Sequence, residues 1–526
     1  MTSQCEVFDN LIQPWIAAVR RDPNAPAVRD GARVASRVEG LARAIGIADR
    51  VCRLPDPGDQ NPVVLVHGHK SVGAVVAILG ILLSGRAYAY VEAETPPEAM
   101  RAILETLRPQ AILATESVHP SPGPASSGAA PTPVIAVEAC PPGALSWLDA
   151  PPPGARAAAD EIAYVLFSSG STGVPKGVCM ARDAAHAAVA AYCRDLGITE
   201  TDRLASSVSF GFDVSMFDIL AAARTGACLM LLRGVGGTGV EPMGRALAGS
   251  GATVAFTVPS LAGAMIAAPE WPQTRPHLRA LALTGERVTP DLRGALATAL
   301  APATTVWNLF GGTEMPYVLA DPLAMDGDGD PSRFTRRGGP VALGLDGDFS
   351  ADAWTPGREG ELWVEGAAVL SGYLAPGASW PGRVPAPRRH GSGDVFRVLD
   401  GARLQYVGRR DRQVRLHGLR IELDMIESWV ETHPNAAACV ALLDERGPGL
   451  AVFVAPGPEA AGGDDLRDAM LRHIRAGLPA YMVPETCRVL ESMPRTRTGK
   501  KDRTAVRRIM LAGGETAPVG RSVVGA

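Results

Sequence analysis

The most chemically pointed feature of this sequence is a run of hydroxyls and glycines closed by a lysine. The segment Tyr164-Val-Leu-Phe-Ser-Ser-Gly-Ser-Thr-Gly-Val-Pro-Lys-Gly177 starts as an apolar strand and continues as a loop. Gly170 and Gly173 let backbone N–H groups approach a polyphosphate closely. Ser168, Ser169, Ser171 and Thr172 add hydroxyl donors, and Lys176 adds a compact charge. A Walker loop needs Ser or Thr after its lysine, whereas Gly177 follows Lys176 here. The alternative, a flexible Gly/Ser turn with one exposed lysine, leaves the strand before the loop unexplained. Lys176 is also one of only four lysines, with Lys70, Lys500 and Lys501, among 51 basic residues. In a composition so biased to arginine, each lysine invites a reason, because ammonium and guanidinium are not interchangeable.

Two other clusters mimic known loops and fail. Gly234-Val-Gly236-Gly-Thr-Gly239 fits a dinucleotide fingerprint, but no acid follows at the distance that the ribose contact requires. Asp326-Gly-Asp328-Gly-Asp330 begins like a calcium loop, but its twelfth position is Arg337 where Glu is needed.

The elements that must hold such a loop are legible in the apolar pattern. Short runs such as Pro62–Val66, Ala111–Ala114, Ala163–Phe167, Ala227–Leu232 and Val254–Val258 alternate with Ala-rich helical stretches. Such runs predict parallel sheets covered on both faces, an α/β fold. Residues 118–133 and 150–158 are rich in Pro, Ala, Gly and Ser and read as surface loops. From Glu361 to Val364 and from Leu404 to Leu416 the pattern turns to short strands with Gly turns. From Asp464 onward it reads helix, turn, strand, helix, a small separate α+β lobe. With 526 residues, 46% of them hydrophobic, and a net charge of −4, the chain reads as globular with more than one domain. That charge offers no footprint for nucleic acid and no polybasic face for a membrane. The eight cysteines are scattered without a CxxC pair, so free thiols in a reducing compartment are expected. The N-terminus lacks the basic start of a signal peptide, and the longest apolar run, Val72 to Leu83, is too short to cross a bilayer. It reads as a buried helix, and a cytoplasmic location is expected.

Further blocks follow the phosphate loop in order. They are Asn308-Leu-Phe-Gly-Gly-Thr-Glu314, Gly360-Glu-Leu-Trp-Val-Glu-Gly366 with Ser371-Gly-Tyr373, and Ser392-Gly-Asp394. Next come Gly408-Arg-Arg-Asp411 running to Gly418-Leu-Arg-Ile-Glu422, then Leu478-Pro-Ala-Tyr-Met-Val-Pro484 and Gly499-Lys500-Lys-Asp-Arg503. Together they resemble the signature blocks of adenylate-forming enzymes, which include acyl-CoA synthetases, luciferases and the adenylation domains of nonribosomal peptide synthetases. The last are the most similar. The resemblance implies a large N-terminal lobe, residues 1–410, of mixed and parallel sheets with helices plus a small β-barrel-like part. A small mobile α+β C-terminal lobe, residues 411–526, then rotates about a hinge at Asp411. It implies ATP and Mg²⁺, an acyl adenylate formed with loss of pyrophosphate, and transfer of the acyl group to a thiol. Catalytic roles fall to Lys500, Glu314 and Thr172, with Glu314 holding the metal. Ser168, Ser169, Gly170, Ser171, Thr172, Gly173 and Lys176 would cradle phosphate. Gly285, Glu286, Asn308, Gly311 and Thr313 would border the nucleotide, Phe310 would stack on adenine, and Asp394 and Arg409 would bind the ribose. Two departures are Gly312 in place of the usual proline and Ala87-Tyr-Ala-Tyr-Val-Glu92 for a block that normally ends Pro-Leu-Asp.

The acid is narrowed by Ser209-Phe-Gly-Phe212-Asp213-Val-Ser215, which resembles the block where amino-acid-activating members place an Asp against the substrate ammonium. A plain acid has no cation to offer, and an unpaired buried carboxylate is costly. The other reading makes Asp213 a cap for a helix starting near Ser215. By position the pocket would also be lined by Val214, Phe217, Thr257, Ala282, Thr284, Leu309, Tyr317, Val318 and Lys500. Phe217 and Tyr317 are bulky, and no further charge lines the cavity. A small neutral amino acid is expected, with alanine or glycine leading, serine or threonine next and β-amino acids open. The 26 residues after Lys500 contain no carrier attachment motif, so a phosphopantetheinylated carrier protein is expected in trans. A small activating partner protein is left open. The rival readings are an acyl- or aryl-CoA synthetase, an amide-forming ligase and a non-catalytic nucleotide-binding relative.

Overall fold

Apolar strands set between helices can bury both faces only inside parallel sheets, and two such sheets form the first part of this protein. The computed structural model describes residues 11–512 except 56–59, 116–131, 153–154, 156–157, 159, 169–175, 233–245, 248, 269–270, 272–277, 326–329, 336–340, 401–402, 417–418, 445–448, 458–463 and 497–500. The chain divides into two compact units, the first holding most residues up to Arg410 and the second built mainly from Asp411 onward.

In the first unit an eight-stranded sheet runs Met315–Pro322, Thr305–Gly312, Ala280–Leu283, Val254–Thr257, Arg203–Ser206, Cys228–Leu231, Pro26–Asp30, Arg33–Ser36. The inner pairs are parallel and only the two edge pairs are antiparallel. A seven-stranded sheet runs Gly372–Leu374, Lys176–Ala181, Ile162–Ser168, Ala87–Glu92, Asn61–Gly68, Pro109–Ala114, Val134–Ala136. The apolar run Val72–Leu83 is a helix buried along its whole length, with the Ser71 hydroxyl accepting from the Ala74 N–H at its start. Its Gly80 lies against the helix Arg37–Cys52, where a methyl group would sit 2.8 Å from the Ala44 carbonyl. Close helix contact therefore needs glycine at that position. Among the described residues, no helix is long and apolar enough to cross a membrane. The seven described cysteines are free thiols.

The third sheet of this unit corrects one expectation. Arg333–Thr335, Arg403–Arg409, Arg388–Asp400, Glu359–Gly366 and Val341–Leu345 form an antiparallel sheet with two free ends. Among the described residues its first and last strands do not pair, so there it is an open sheet and not a closed barrel.

The second unit begins with the hairpin Gln413–Leu416 and Leu419–Glu422 and the helix Leu423–Glu431. Its sheet is Ala436–Asp444, Gly449–Pro456 and Thr486–Val489, with helices Asp464–Gly477 and Arg503–Ala512. Strand alternation divides the core: Leu450, Val452 and Val454 join one apolar cluster with Met470 and Ile474. Ala451, Phe453 and Ala455 join another with Val506 and Met510.

Candidate active site

The strand Ile162–Ser168 is followed not by a helix but by an antiparallel strand, Lys176–Ala181, with Ser168 paired to Lys176. The phosphate loop is thus the connection of a hairpin, and its two ends are held at strand spacing. The loop residues Ser169, Gly170, Ser171, Thr172 and Gly173 lie outside the described residues. Gly177 is required by crowding, since a Cβ there would come 2.7 Å from Val165 Cγ1. The third strand, Gly372–Leu374, pairs with Lys176–Ala181 and brings Tyr373 beside the lysine. Lys176 Nζ lies 3.1 Å from the centre of the Tyr373 ring, a cation–π contact. The Tyr373 hydroxyl donates to Glu314 Oε1 at 3.1 Å. Three sequence blocks meet through this one tyrosine.

Glu314 and Thr313 are the two residues of a tight turn between Thr305–Gly312 and Met315–Pro322, closed by the pair Gly312 and Met315. Gly311 precedes it at a register shift, where a Cβ would clash at 2.6 Å with the Pro316 carbonyl. Two adjacent side chains leave this turn for different partners. Glu314 turns to Tyr373, while Thr313 Oγ1 donates to Asp213 Oδ2 at 2.9 Å. Among the described residues no group of three or more His, Cys, Asp or Glu could hold a metal. A Mg²⁺ here fits only the mode in which one carboxylate, Glu314, is joined by phosphate oxygens and waters.

The residues expected to bind the nucleoside are divided between two sheets, with Asn308 and Phe310 on Thr305–Gly312 and Asp394 and Arg409 on the antiparallel third sheet. Asp394 and Arg409 pair across Arg388–Asp400 and Arg403–Arg409, with Arg409 Nη1 donating to Asp394 Oδ2 at 2.9 Å. Phe310 packs edge-on against Phe396 at 4.9 Å, with Phe334 and Tyr406 nearby. Asn308 Nδ2 donates to the Pro331 carbonyl at 2.9 Å. Gly285 has a left-handed φ of 85°, and Glu286 beside it accepts the Ser260 N–H and hydroxyl at 2.8 and 3.0 Å. That holds the first turn of the helix Pro259–Ala267.

Asp213 is the first residue of the helix Asp213–Thr225, two residues earlier than expected, and it does not cap it. Its carboxylate accepts from Thr313 and from the Val214 N–H at 2.9 Å. Among the described residues it has no basic partner. Phe217, one helical turn on, and Tyr317, from the strand after the Thr313–Glu314 turn, are both buried and 6.0 Å apart. Ala282, Leu309 and Val318 share their apolar cluster, and Val214 packs against it.

Thr257 is placed differently from the expected lining. Phe256 meets Phe217 at 5.6 Å, so alternation turns Thr257 to the opposite face of Val254–Thr257. Thr284 Oγ1 donates to the Leu309 carbonyl at 3.1 Å.

The structure adds residues that the spacing did not single out. Lys70 is half-buried and donates to the Ser206 and Val208 carbonyls at 2.9 and 3.3 Å, just before the Phe212-Asp213 block. Burial lowers its pKa to about 8. Asp218 on the same helix as Asp213 is buried, which raises its pKa to about 8. In the second unit Lys501 donates to Glu427, Glu431 and the Cys439 carbonyl at 3.1, 2.6 and 2.9 Å. Its neighbour Lys500 lies outside the described residues. The two false leads fare likewise: residues 234–239 are not described, and Asp330 is a turn residue accepting from Ser332 and Gln405. Arg410 is held by Asp346 and Glu361 in the first unit, and Asp411 begins the second.

The family model described as AMP-binding enzyme matches residues 17–374, and that of the AMP-binding enzyme C-terminal domain matches 425–500. Novobiocin biosynthesis protein H from Streptomyces niveus is 29% identical over 94% of this chain and 82% of its own length. An L-proline–[L-prolyl-carrier protein] ligase from Streptomyces coelicolor is 32% identical over 65% of each chain. Other curated relatives are longer, and the chain spans 33% of phosphinothricin tripeptide synthetase PhsC from Streptomyces viridochromogenes. Among solved structures, PA1221, an NRPS protein containing adenylation and PCP domains, superposes with a TM-score of 0.75 at 25% identity, covering 97% of this chain and 86% of its own.

Proposed function

The chain belongs to the AMP-binding enzyme family, and on that premise we propose that it adenylates a small neutral amino acid and passes it to a carrier protein. One observation carries the choice of acid: the Asp213 carboxylate is held by a hydroxyl and an amide and, among the described residues, by no cation. A half-buried carboxylate so arranged is completed by an ammonium group. An aryl or fatty acid would leave it uncompensated. The bulk of Phe217 and Tyr317 supports a short side chain, with glycine and alanine favoured. A relative named as a carrier-protein ligase and a similar structure that contains both adenylation and PCP domains support the second half of the reading.

Two anions must meet for the substrate carboxylate to attack the α-phosphorus, so cations are needed where they meet. Lys500 supplies one by the resemblance, and Lys176 stands at the loop end with its charge steadied by Tyr373. Glu314 would hold Mg²⁺, which neutralises the departing pyrophosphate. Thr313 orients Asp213, and Asp394 with Arg409 faces the ribose. ATP–pyrophosphate exchange across amino, aryl and fatty acids tests the reading. Exchange with glycine or alanine is expected. Exchange with aryl acids alone would refute the assignment of Asp213, and exchange with no acid would favour a non-catalytic relative.

A further inference from the structure

Phe217 lies four residues from Asp213, on the same face of one helix. Tyr317 lies on the strand leaving the turn whose Thr313 holds Asp213. Phe217 therefore stands one helical turn from the carboxylate that would anchor the substrate amine, and Tyr317 lies 6.0 Å from Phe217. Packed against them is a residue from an element the family-like blocks do not include, Tyr192 on the helix Arg182–Asp195. Its ring centre is 5.0 Å from Phe217, 5.4 Å from Phe256 and 6.1 Å from Tyr317, so it touches every other ring of the group. The ring of Phe256 lies nearly parallel to it, at 20°. All four residues are at most 3% exposed, which leaves the rings no solvent-filled space to retreat into. The same helix also holds Tyr317, since the Tyr317 hydroxyl donates to Asp195 Oδ2 at 2.9 Å.

We propose that Tyr192 is a specificity-determining residue that sets the length limit of the acid's side chain by backing Phe217 and Tyr317. Phe217 and Tyr317 form the wall, and Tyr192 stops the wall from yielding. A longer side chain could enter only if these two rings swung back, and Tyr192 occupies the space they would need. The inference rests on the amino-acid reading of Asp213.

The test is ATP–pyrophosphate exchange by wild type, Tyr192→Ala and Tyr192→Leu with glycine, alanine, valine, leucine and phenylalanine. Wild type is expected to exchange with glycine or alanine and to discriminate against leucine. Tyr192→Ala is expected to raise the leucine-to-alanine ratio of kcat/KM at least tenfold, with Tyr192→Leu intermediate. If Tyr192→Ala does not fold, as judged by its thermal melt, Tyr192→Leu carries the test with the same direction of change. Equal losses for all five acids would mean that Tyr192 only packs the core, and the inference falls. Wild-type exchange with leucine or phenylalanine as efficient as with alanine overturns it too. Absence of exchange with every amino acid, while aryl acids exchange, would instead remove the amino-acid reading on which it stands.

Discussion

Asp213 in the first unit and Glu427 in the second are both carboxylates on helices, and the protein compensates them in opposite ways. Glu427 draws Nη2 of Arg412 and of Arg503 at 2.8 Å and Nζ of Lys501 at 3.1 Å, and it accepts the Ala441 N–H as well. Burial by itself would raise its pKa, but these hydrogen bonds and charges bring it below the ordinary glutamate value. Asp213 receives a hydroxyl and one amide. A carboxylate saturated by its own chain stabilises a fold. One given only neutral donors keeps its charge available to a ligand. The partners of the two carboxylates, not their place on a helix, separate the two roles.

The sharpest test of this contrast lies between the adjacent lysines of the second unit. Lys500→Ala should lower amino-acid-dependent pyrophosphate exchange by about 10²- to 10³-fold, with ATP binding and the thermal melt unchanged. Lys501→Met should do the reverse, lowering the melt and sparing most of the exchange. A lysine pair whose variants behave alike would contradict the division.

Glu427→Gln removes the anion from among three cations, and about 3 kcal/mol of stability should go with it in denaturant unfolding. The sign of its pH dependence follows from a lowered folded pKa. The contribution is present above the ordinary glutamate value and is lost as pH falls through the folded one. The wild-type melt should therefore decline in that acid range, and the Glu427→Gln melt should decline less. A steeper decline in the variant would break the argument.

Asp213→Asn should lower kcat/KM for the amino acid by about 2–3 kcal/mol, roughly 30- to 200-fold, since the partner ammonium loses its counter-charge. Its melt should stay near wild type, which is the opposite of Glu427→Gln. The smallest effect belongs to Thr313→Val, which takes one neutral donor from Asp213. About 1 kcal/mol, seen as a severalfold rise in KM for the amino acid with kcat little changed, is expected. Steady-state exchange kinetics check both.

Much of this was readable in the chain. The fully buried helix Val72–Leu83 and the parallel strands follow from the apolar pattern, and the Thr313–Glu314 and Asp394 blocks were legible through the family resemblance. The facing of Val254–Thr257 was not readable. A short strand buried on both sides carries no alternation to choose between Phe256 and Thr257. Tyr373 stood inside a quoted block, yet its place between Lys176 and Glu314 depends on strand pairing. Lys70 and Lys501 were rare residues without a reason until their carbonyl and carboxylate partners, 136 and 74 positions away, were seen.

By itself, then, the sequence determined which chemical groups the protein carries and in what order, because hydroxyl loops, turns and apolar periods are short-range properties of neighbouring residues. The tertiary structure alone decided which carboxylate is neutralised by the chain and which is not. It also decided that four aromatic rings from separate elements meet in one cluster. Both depend on contacts between segments far apart in the chain, and no local spacing encodes those.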